Sequence, residues 1–271
     1  MDTIAFIGGG NMAAALIGGL IKRGVAPADL YAVDINDEAR ARTAKQFGIE
    51  TGAAIDAMLA GFDAILLAVK PQVLKDVAQA LKPHLSRQLV ISIAAGIRAS
   101  DLSRWLGGYA RIVRTMPNTP ALIGMGVTGL AALPGVDDAA KTLASKVLEA
   151  VGSAVWFDDE AKIDAVTAIS GSGPAYVFYF IEAMQEAARR LGMDEEQGRA
   201  LAVATFTGAA QLAAQSGEPA SVLRERVTSK GGTTAAALAS FEAAGVKEAI
   251  VRGALAADAR AKEMGDELGA A

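Results

Sequence analysis

The opening stretch of the chain constrains its fold more than any other segment. Four apolar residues, Ile4–Ile7, are followed by Gly8-Gly9-Gly10 and then by a helix-forming run that begins at Ala13. An apolar run too short for a helix indicates a buried parallel strand. Gly8, Gly10 and Ala13 occupy the G-x-G-x-x-G/A positions of a dinucleotide-binding turn. The pattern therefore predicts a strand, a glycine turn and a helix whose N-terminus faces a pyrophosphate.

The rest of the first half repeats this alternation of apolar runs and helical segments. Further strands are predicted at 30–34, 64–69, 89–94, 111–115, 127–133 and 154–157. This alternation predicts a doubly wound, mostly parallel sheet that binds ligands at the carboxyl ends of its strands. Lys70, Ala95 and Asn118 follow such strands and are expected beside a cofactor. The single histidine, His84, precedes a strand, so we expect it at the opposite edge, on the surface.

An acidic residue, Asp34, ends the second predicted strand about twenty residues after the glycine turn. In dinucleotide-binding domains a carboxylate at this place accepts hydrogen bonds from the ribose hydroxyls of adenosine. An aspartate that only caps the turn before Asn36 fits the sequence as well.

The pattern changes after Asp158-Asp159-Glu160, where helical periodicities replace strand-like runs. Helices are predicted at 160–169, 174–191, 194–215, 220–227, 233–243 and 246–268, and Ser170-Gly171-Ser172-Gly173 separates the first two. The run 200–210 contains no charged residue, and a helix that is apolar all round is buried all round. We therefore predict a Rossmann domain at residues 1–158 and an all-α domain at 159–271 through which subunits associate.

A second glycine-containing loop lies within this helical half. Ser229-Lys230-Gly231-Gly232-Thr233-Thr234 directly precedes a predicted helix. Backbone N–H groups at such a helix start bind small anions such as carboxylates, and the Thr234 hydroxyl can donate or accept a hydrogen bond. A capped helix start without a ligand is the alternative interpretation.

Composition excludes several classes of function. The net charge of −4 and the pI near 5.2 provide no basic surface for nucleic acid or anionic membrane. The chain has no cysteine and one histidine, which excludes thiol chemistry and argues against a metal centre. Residues 4–21 are uncharged, but five glycines and Asn11 interrupt them, so a signal or membrane segment is not expected. We expect a soluble cytoplasmic protein.

Several motifs, in the same order, resemble those of the pyrroline-5-carboxylate reductase family over nearly the whole chain. They are the GGGNMA turn, Ala68-Val69-Lys70-Pro71, the segments 114–120 and 169–176, and the segment 219–242 that contains the glycine loop. This resemblance implies the reduction of the cyclic imine 1-pyrroline-5-carboxylate to L-proline with NADPH or NADH, in the last step of proline biosynthesis. It also implies a Rossmann domain followed by a helical dimerisation domain, in a homodimer that is commonly part of a decamer.

The resemblance also assigns roles to individual residues. For the cofactor, Gly8, Gly10, Asn11 and Met12 would contact the pyrophosphate, Asp34 and Asn36 the adenosine ribose, and Ala68, Val69, Lys70, Pro71 and Ala95 would line the site. For the substrate, the implied residues are Ser229, Gly232, Thr233 and Thr234, with Glu160 nearby. A protonated imine is already electrophilic, so the site mainly has to position the two reactants. We therefore expect Thr234 to be the catalytic residue, through a hydrogen bond to the ring nitrogen.

One departure from the family concerns the choice of cofactor. Members that favour NADPH usually carry small or basic groups after the second strand, whereas this chain has Asp34 there. A carboxylate repels the 2′-phosphate of NADPH, which predicts appreciable use of NADH. Arg40 or Arg42 from the following helix can offset this repulsion, so both cofactors stay open.

Two other functions are alternatives to the reduction of 1-pyrroline-5-carboxylate. A β-hydroxyacid dehydrogenase shares the two-domain plan, but its catalytic lysine lies four residues after the glycine-rich helix start, where this chain has Val177. A non-enzymatic nucleotide-sensing protein is the other alternative, since a fold alone does not determine function. Such a protein would not need the loop at Ser229–Thr234.

Overall fold

The computed structural model describes residues 2–270, so the first and last positions of the two predicted domains, 1 and 271, lie outside the described residues. Contacts divide the chain into two compact units. The first unit extends to Ser172 and also contains the segment from Ala257 onward, whereas the second unit comprises Gly173–Ala256.

The first unit is built on an eight-stranded sheet in the order β3-β2-β1-β4-β5-β6-β7-β8. The strands are β1 Ile4–Ile7, β2 Leu30–Val33, β3 Glu50–Gly52, β4 Ala64–Leu67, β5 Leu89–Ser92, β6 Ile112–Met116, β7 Gly126–Ala132 and β8 Gly152–Trp156. Every pair of neighbouring strands is parallel except β6 and β7. The predicted Rossmann-like, mostly parallel sheet is confirmed.

Two details of the sheet differ from the sequence-based expectation. The edge strand β3 was not predicted, because its three residues are partly exposed and contain no apolar run. The strand predicted at 127–133 is present as β7, but it runs antiparallel to β6. The nine-residue connection at 117–125 contains no crossover helix of the kind that joins parallel neighbours.

Helices cover both faces of the sheet, which explains why the central strands β1, β2 and β4 are apolar and buried at every position. The helices of the first unit are α1 Asn11–Lys22, α2 Asp37–Phe47, α3 Leu74–Leu81, α4 Ala99–Trp105, α5 Asp138–Glu149 and α6 Lys162–Val166. In β1, Ile4 and Phe6 enter one buried cluster with residues of α1 and α5. Ala5 and Ile7 enter the other, with residues of α3 and α4. A strand buried on both faces has no polar side to alternate with its apolar one.

The four-residue interruption predicted between two helices at 170–173 is wrong in extent, because helical structure covers most of it. A π-helical turn, Thr167–Gly171, continues directly from α6, and only Ser172 separates it from the next helix. The hydroxyls of Thr167 and Ser170 donate to carbonyl groups four residues earlier, so these polar side chains do not end the helical structure. Ile163 and Asp164 of α6 are buried, which explains why residues 159–172 belong to the first unit.

The remaining helices are α7 Gly173–Arg190, α8 Glu195–Ser216, α9 Ala220–Arg226, α10 Thr233–Ala243 and α11 Val246–Ala270. The C-terminal part of α11 belongs to the first unit. A division of the chain at residue 158 alone does not include this part of the helix in the first unit. There Arg98 pairs with Asp266 at 2.6 Å, and the Arg104 guanidinium donates to the Gly269 carbonyl at 2.5 Å.

Within the second unit, α7 packs against α8, and the rings of Phe180 and Phe206 stack with centroids 6.5 Å apart. The outer face of α8 is apolar and exposed in the single chain, with Leu201 at 57% and Leu212 at 56% exposure. The complete burial expected for this helix is therefore absent from one chain alone. In the part of the chain that the structure describes, no helix is long and apolar enough to cross a membrane.

Candidate active site

The glycine turn between β1 and α1 has the backbone conformation that its sequence predicts. Gly8 has φ of +102°, a region that side-chain-bearing residues rarely adopt. A Cβ atom at Gly8 would lie 2.6 Å from the carbonyl oxygen of Ala68, which directly follows β4. Glycine is therefore required at this position both by the turn and by the close approach of β4.

Gly10 meets a different requirement. It precedes α1 with φ of −72°, which any residue adopts, and a Cβ atom there would have no neighbour within 4 Å. No side chain caps the first N–H groups of α1, whose first two residues are Asn11 and Met12. Open space next to uncapped helix N–H groups is the arrangement that binds phosphate groups. The turn therefore fits the pyrophosphate of a dinucleotide.

Asp34 connects the end of β2 to the glycine turn. One carboxylate oxygen accepts from the Gly9 N–H at 2.7 Å, and the other accepts from the Asn36 N–H at 2.8 Å. Asp34 therefore caps the turn before Asn36, as the alternative interpretation of the sequence predicts. Each oxygen keeps capacity for a further hydrogen bond, so a ribose contact remains compatible with this geometry.

The polar residues after Asp34 are committed to local contacts. The Asn36 side chain caps α2 by accepting from the Ala39 N–H at 2.9 Å. Arg40 donates to the Asp34 backbone carbonyl at 2.8 Å and forms an ion pair with Asp37. The charge of Arg40 is therefore already balanced by a neighbouring carboxylate, whereas Arg42 is exposed.

A cavity of about 480 Å³ opens beside Asp34, within the range of roughly 300–1,000 Å³ that is usual for small-molecule sites. Its walls come from the carboxyl ends of β1, β2 and β4 and from α3. The lining residues are Ile7, Gly8, Val33, Asp34, Ile35, Ala53, Ala54, Ile55, Val69, Val73, Asp76, Val77 and Ala80. The cavity is mostly apolar and begins at the glycine turn. It therefore offers space for a nucleoside directly beside a pyrophosphate bound at that turn.

The other residues predicted to lie near the cofactor follow neighbouring strands. Ala68, Val69, Lys70 and Pro71 come directly after β4, and Ala95 lies three residues beyond β5. Asn118 follows β6, and its side chain accepts from the Val127 N–H at 3.0 Å and donates to the Ser170 carbonyl at 3.2 Å. Asn118 thus links three segments, a structural role that its position in the sequence did not indicate.

A buried ion-pair network that sequence reasoning missed contains Glu160. Arg114 of β6 is 3% exposed and donates to Asp164 of α6 at 2.5 Å and to Glu160 at 3.3 Å. The same oxygen of Glu160 accepts from the Ala99 N–H at the start of α4, at 2.6 Å. In this chain Glu160 therefore organises the first unit, and its place near the substrate stays a prediction. Arg114 begins the segment 114–120 that resembles the family, but nothing in its spacing indicates that Asp164 and Glu160 are its partners.

The predicted substrate loop lies in the second unit, before α10. Gly232 precedes the helix with φ of −82°, and the positive φ belongs to Gly231, at +72°. The constraint on Gly232 is proximity, because a Cβ there would lie 2.5 Å from the Ser229 hydroxyl oxygen. No side chain of the cap residue Gly232 is available to cap α10. The N–H groups of Thr233 and Thr234, in the first turn of the helix, are therefore not capped by a side chain. Among the described residues, no group of three or more potential metal ligands occurs.

Comparison with known proteins identifies the family. Residues 160–264 match the model described as pyrroline-5-carboxylate reductase dimerisation, and residues 3–96 match the model of NADP oxidoreductase, coenzyme F420-dependent. The chain is 49% identical to pyrroline-5-carboxylate reductase of Pseudomonas aeruginosa over 268 residues, which cover 98% of both chains.

Solved structures agree with this relationship. A pyrroline-5-carboxylate reductase from Coxiella burnetii superimposes with a TM-score of 0.93 at 39% identity, covering 97% of this chain and 98% of the other. Pyrroline carboxylate reductase of Plasmodium falciparum, solved with NADP bound, has a TM-score of 0.86 at 29% identity, with 97% and 98% coverage. The chain belongs to the pyrroline-5-carboxylate reductase family.

Proposed function

We infer that this protein is an oxidoreductase that reduces 1-pyrroline-5-carboxylate to L-proline with a nicotinamide cofactor. The observation that carries this inference is similarity over 98% of the chain to a reductase of that name. The uncapped glycine turn at α1 and the uncapped glycine loop at α10 provide the two kinds of anion site that the reaction needs.

The residues present fit a nicotinamide dinucleotide, which supplies a hydride when bound. The backbone at Gly8, Gly10, Asn11 and Met12 would hold the pyrophosphate at the N-terminus of α1. Asp34 would accept from a ribose hydroxyl in addition to the two N–H groups it already binds. The segment 68–71 and Ala95 would line the rest of the site.

We propose that NADH is used appreciably by this protein, beside NADPH. Asp34 puts a carboxylate at the end of β2, and the guanidinium of Arg40, which donates to the Asp34 backbone carbonyl, is already paired with Asp37. A 2′-hydroxyl can donate to a carboxylate, whereas a 2′-phosphate adds like charge. One hydrogen bond to a charged group contributes roughly 1.5–3 kcal/mol, which corresponds to about tenfold to a hundredfold.

The substrate would be held by the loop before α10. The N–H groups around Gly232, Thr233 and Thr234 suit the substrate carboxylate, with the Ser229 hydroxyl beside them. Thr234 would hydrogen-bond the ring nitrogen and align the imine carbon, while the proton on nitrogen is already present or comes from solvent. Positioning of this kind is a major source of rate enhancement when the electrophile is already activated.

Assembly through the helical half is part of the same proposal. The matched family model is named for dimerisation, and α8 exposes large apolar side chains that cost free energy in water. We propose a homodimer, with a decamer as the larger form. The cytoplasmic location expected from the sequence remains a prediction.

The inference is tested by following the loss of reduced-cofactor absorbance with 1-pyrroline-5-carboxylate and either NADH or NADPH. Thr234→Val should lower the rate strongly and weaken substrate binding, with little change in cofactor affinity, and Thr234→Ser, which keeps the hydroxyl, should retain most of the activity. The absence of turnover with both cofactors in the unchanged protein would refute the activity. If Thr234→Val lost hydride transfer but bound substrate normally, a mainly positioning role would be wrong.

The cofactor preference is tested separately with Asp34→Ser. This change removes the two acceptor contacts to Gly9 and Asn36, so affinity for both cofactors should fall, but kcat/KM should fall more for NADH. The measured quantity is the ratio of kcat/KM for the two cofactors. A wild-type protein that strongly prefers NADPH, with a ratio unmoved by the substitution, would refute the ribose role of Asp34.

A further inference from the structure

We propose that Asp76 selects the base of the cofactor by accepting a hydrogen bond from the exocyclic amino group of adenine. This inference rests on the assignment of a nicotinamide dinucleotide to the glycine turn. It assigns a specificity role to a residue outside the motifs that identify the family.

One face of α3 and of the turn before it lines the cavity beside Asp34. Val73, Asp76, Val77 and Ala80 all contribute to its wall. Their spacing of three, four and seven residues from Val73 puts them on a single helical face. Three of these four residues are apolar, and Asp76 is the only charged group that α3 contributes to the cavity.

Other walls of the cavity are also apolar and come from different elements. Ile35, just after β2, is 91% exposed, and Val73 on the α3 side of the cavity is 46% exposed. Ala53, Ala54 and Ile55 complete the lining on the segment after β3. Large apolar side chains left this open gain free energy when a flat, weakly polar ring covers them. A purine base attached to the ribose beside Asp34 has these properties.

The two carboxylates of the cavity differ in what they already bind. Asp34 accepts from two backbone N–H groups. Asp76 is exposed and makes no hydrogen bond or ion pair with any residue from 2 to 270. An ionised carboxylate only accepts hydrogen bonds. Adenine offers an amino donor at its six-position, whereas hypoxanthine has a carbonyl oxygen there, which a carboxylate repels.

The test compares the binding of NADH with that of reduced nicotinamide hypoxanthine dinucleotide, by fluorescence titration of the full-length protein without substrate. The two dinucleotides carry the same charge, so the ratio of their dissociation constants cancels any general electrostatic effect of losing a carboxylate. We would measure this ratio for wild type, Asp76→Ala, Asp76→Asn and a control, Glu38→Ala. Glu38 is an exposed acid of α2 that does not line the cavity.

Wild type and Glu38→Ala should bind NADH about tenfold or more tightly than the hypoxanthine analogue. Asp76→Ala should bring the ratio close to one, whereas Asp76→Asn should give an intermediate ratio, because its amide can accept from the adenine amino group and can also donate to the carbonyl oxygen of hypoxanthine. Thermal denaturation checks that each variant folds. A wild-type ratio near one, or a wild-type ratio retained in Asp76→Ala, would overturn the role of Asp76 alone. Failure of the unchanged protein to bind either dinucleotide would overturn the cofactor assignment together with it.

Discussion

Two glycines of the same turn should respond in opposite ways to the same substitution by alanine. Gly8 has a positive φ and contacts β4 closely, whereas Gly10 has an ordinary φ and faces open space. We expect Gly8→Ala to lower the free energy of unfolding strongly. We expect Gly10→Ala to leave stability almost unchanged and to weaken the binding of the dinucleotide.

The magnitude for Gly8→Ala follows from its surroundings. Holding a non-glycine residue in an unfavourable backbone region costs about 1–3 kcal/mol. The added Cβ would also lie 2.6 Å from the Ala68 carbonyl oxygen, and relieving such overpacking costs about 1–3 kcal/mol. The two costs together predict a loss of about 2–6 kcal/mol. This is a large part of the roughly 5–15 kcal/mol that stabilises a typical domain.

The magnitude for Gly10→Ala has a different origin. Its φ of −72° suits alanine, and no atom within 4 Å resists a methyl group. Replacing this glycine should therefore change stability by less than about 1 kcal/mol, because alanine is a poorer helix cap than glycine but also restricts the unfolded chain more. The methyl group would nevertheless occupy the space into which the pyrophosphate must come, so we expect affinity for NADH to fall about tenfold or more, or about 1.4 kcal/mol or more.

Urea denaturation of the protein without cofactor measures the first effect, and fluorescence titration with NADH measures the second. The two variants serve as controls for each other, because each adds one methyl group to the same turn. Normal NADH affinity in a folded Gly10→Ala protein would refute the assignment of this turn to the pyrophosphate. Equal stability losses in both variants would refute the distinction between them.

Three further predictions concern stability. Arg114→Met should lower the free energy of unfolding by about 3–5 kcal/mol in urea denaturation, because it leaves the buried Asp164 unpaired; adding Asp164→Asn should recover part of it. Asp194→Ala removes the capping box of α8 and should cost about 0.5–2 kcal/mol by the same assay. Two neighbouring arginines lower the pKa of Glu186 from 4.5 to about 2. Its stabilising effect should be complete above pH 4.5 and lost as the pH falls towards 2, and Glu186→Gln should flatten the pH dependence of unfolding there; an NMR-measured pKa of 4.5 for Glu186 would contradict this.

The sequence predicted much of the first unit because its signals are local. A buried parallel strand is mostly apolar, so β1, β2, β4 and β5 were recognisable from short runs alone. Strand β3 was missed because an exposed edge strand of three residues carries no such signal. The antiparallel direction of β7 was missed because direction depends on how the chain connects two strands, which hydrophobicity does not encode.

For the candidate site too, some features follow from the sequence and others only from the tertiary structure. The sequence by itself determined the residue types that the chemistry needs: glycines that let backbone approach a phosphate, an acid after β2, and hydroxyls before α10. Only the tertiary structure decided what those groups already bind. Asp34 holds the Gly9 N–H across 25 residues, and Glu160 pairs with Arg114 across 46 residues.

The extent of the two units also depended on tertiary structure. The change from strands to helices near residue 158 is visible in the sequence because hydrophobic periodicity changes there. The return of α11 to the first unit is not, because it depends on contacts such as that of Arg98 with Asp266, which are 168 residues apart. Periodicity records which face of an element is buried, whereas only the folded chain determines what covers that face.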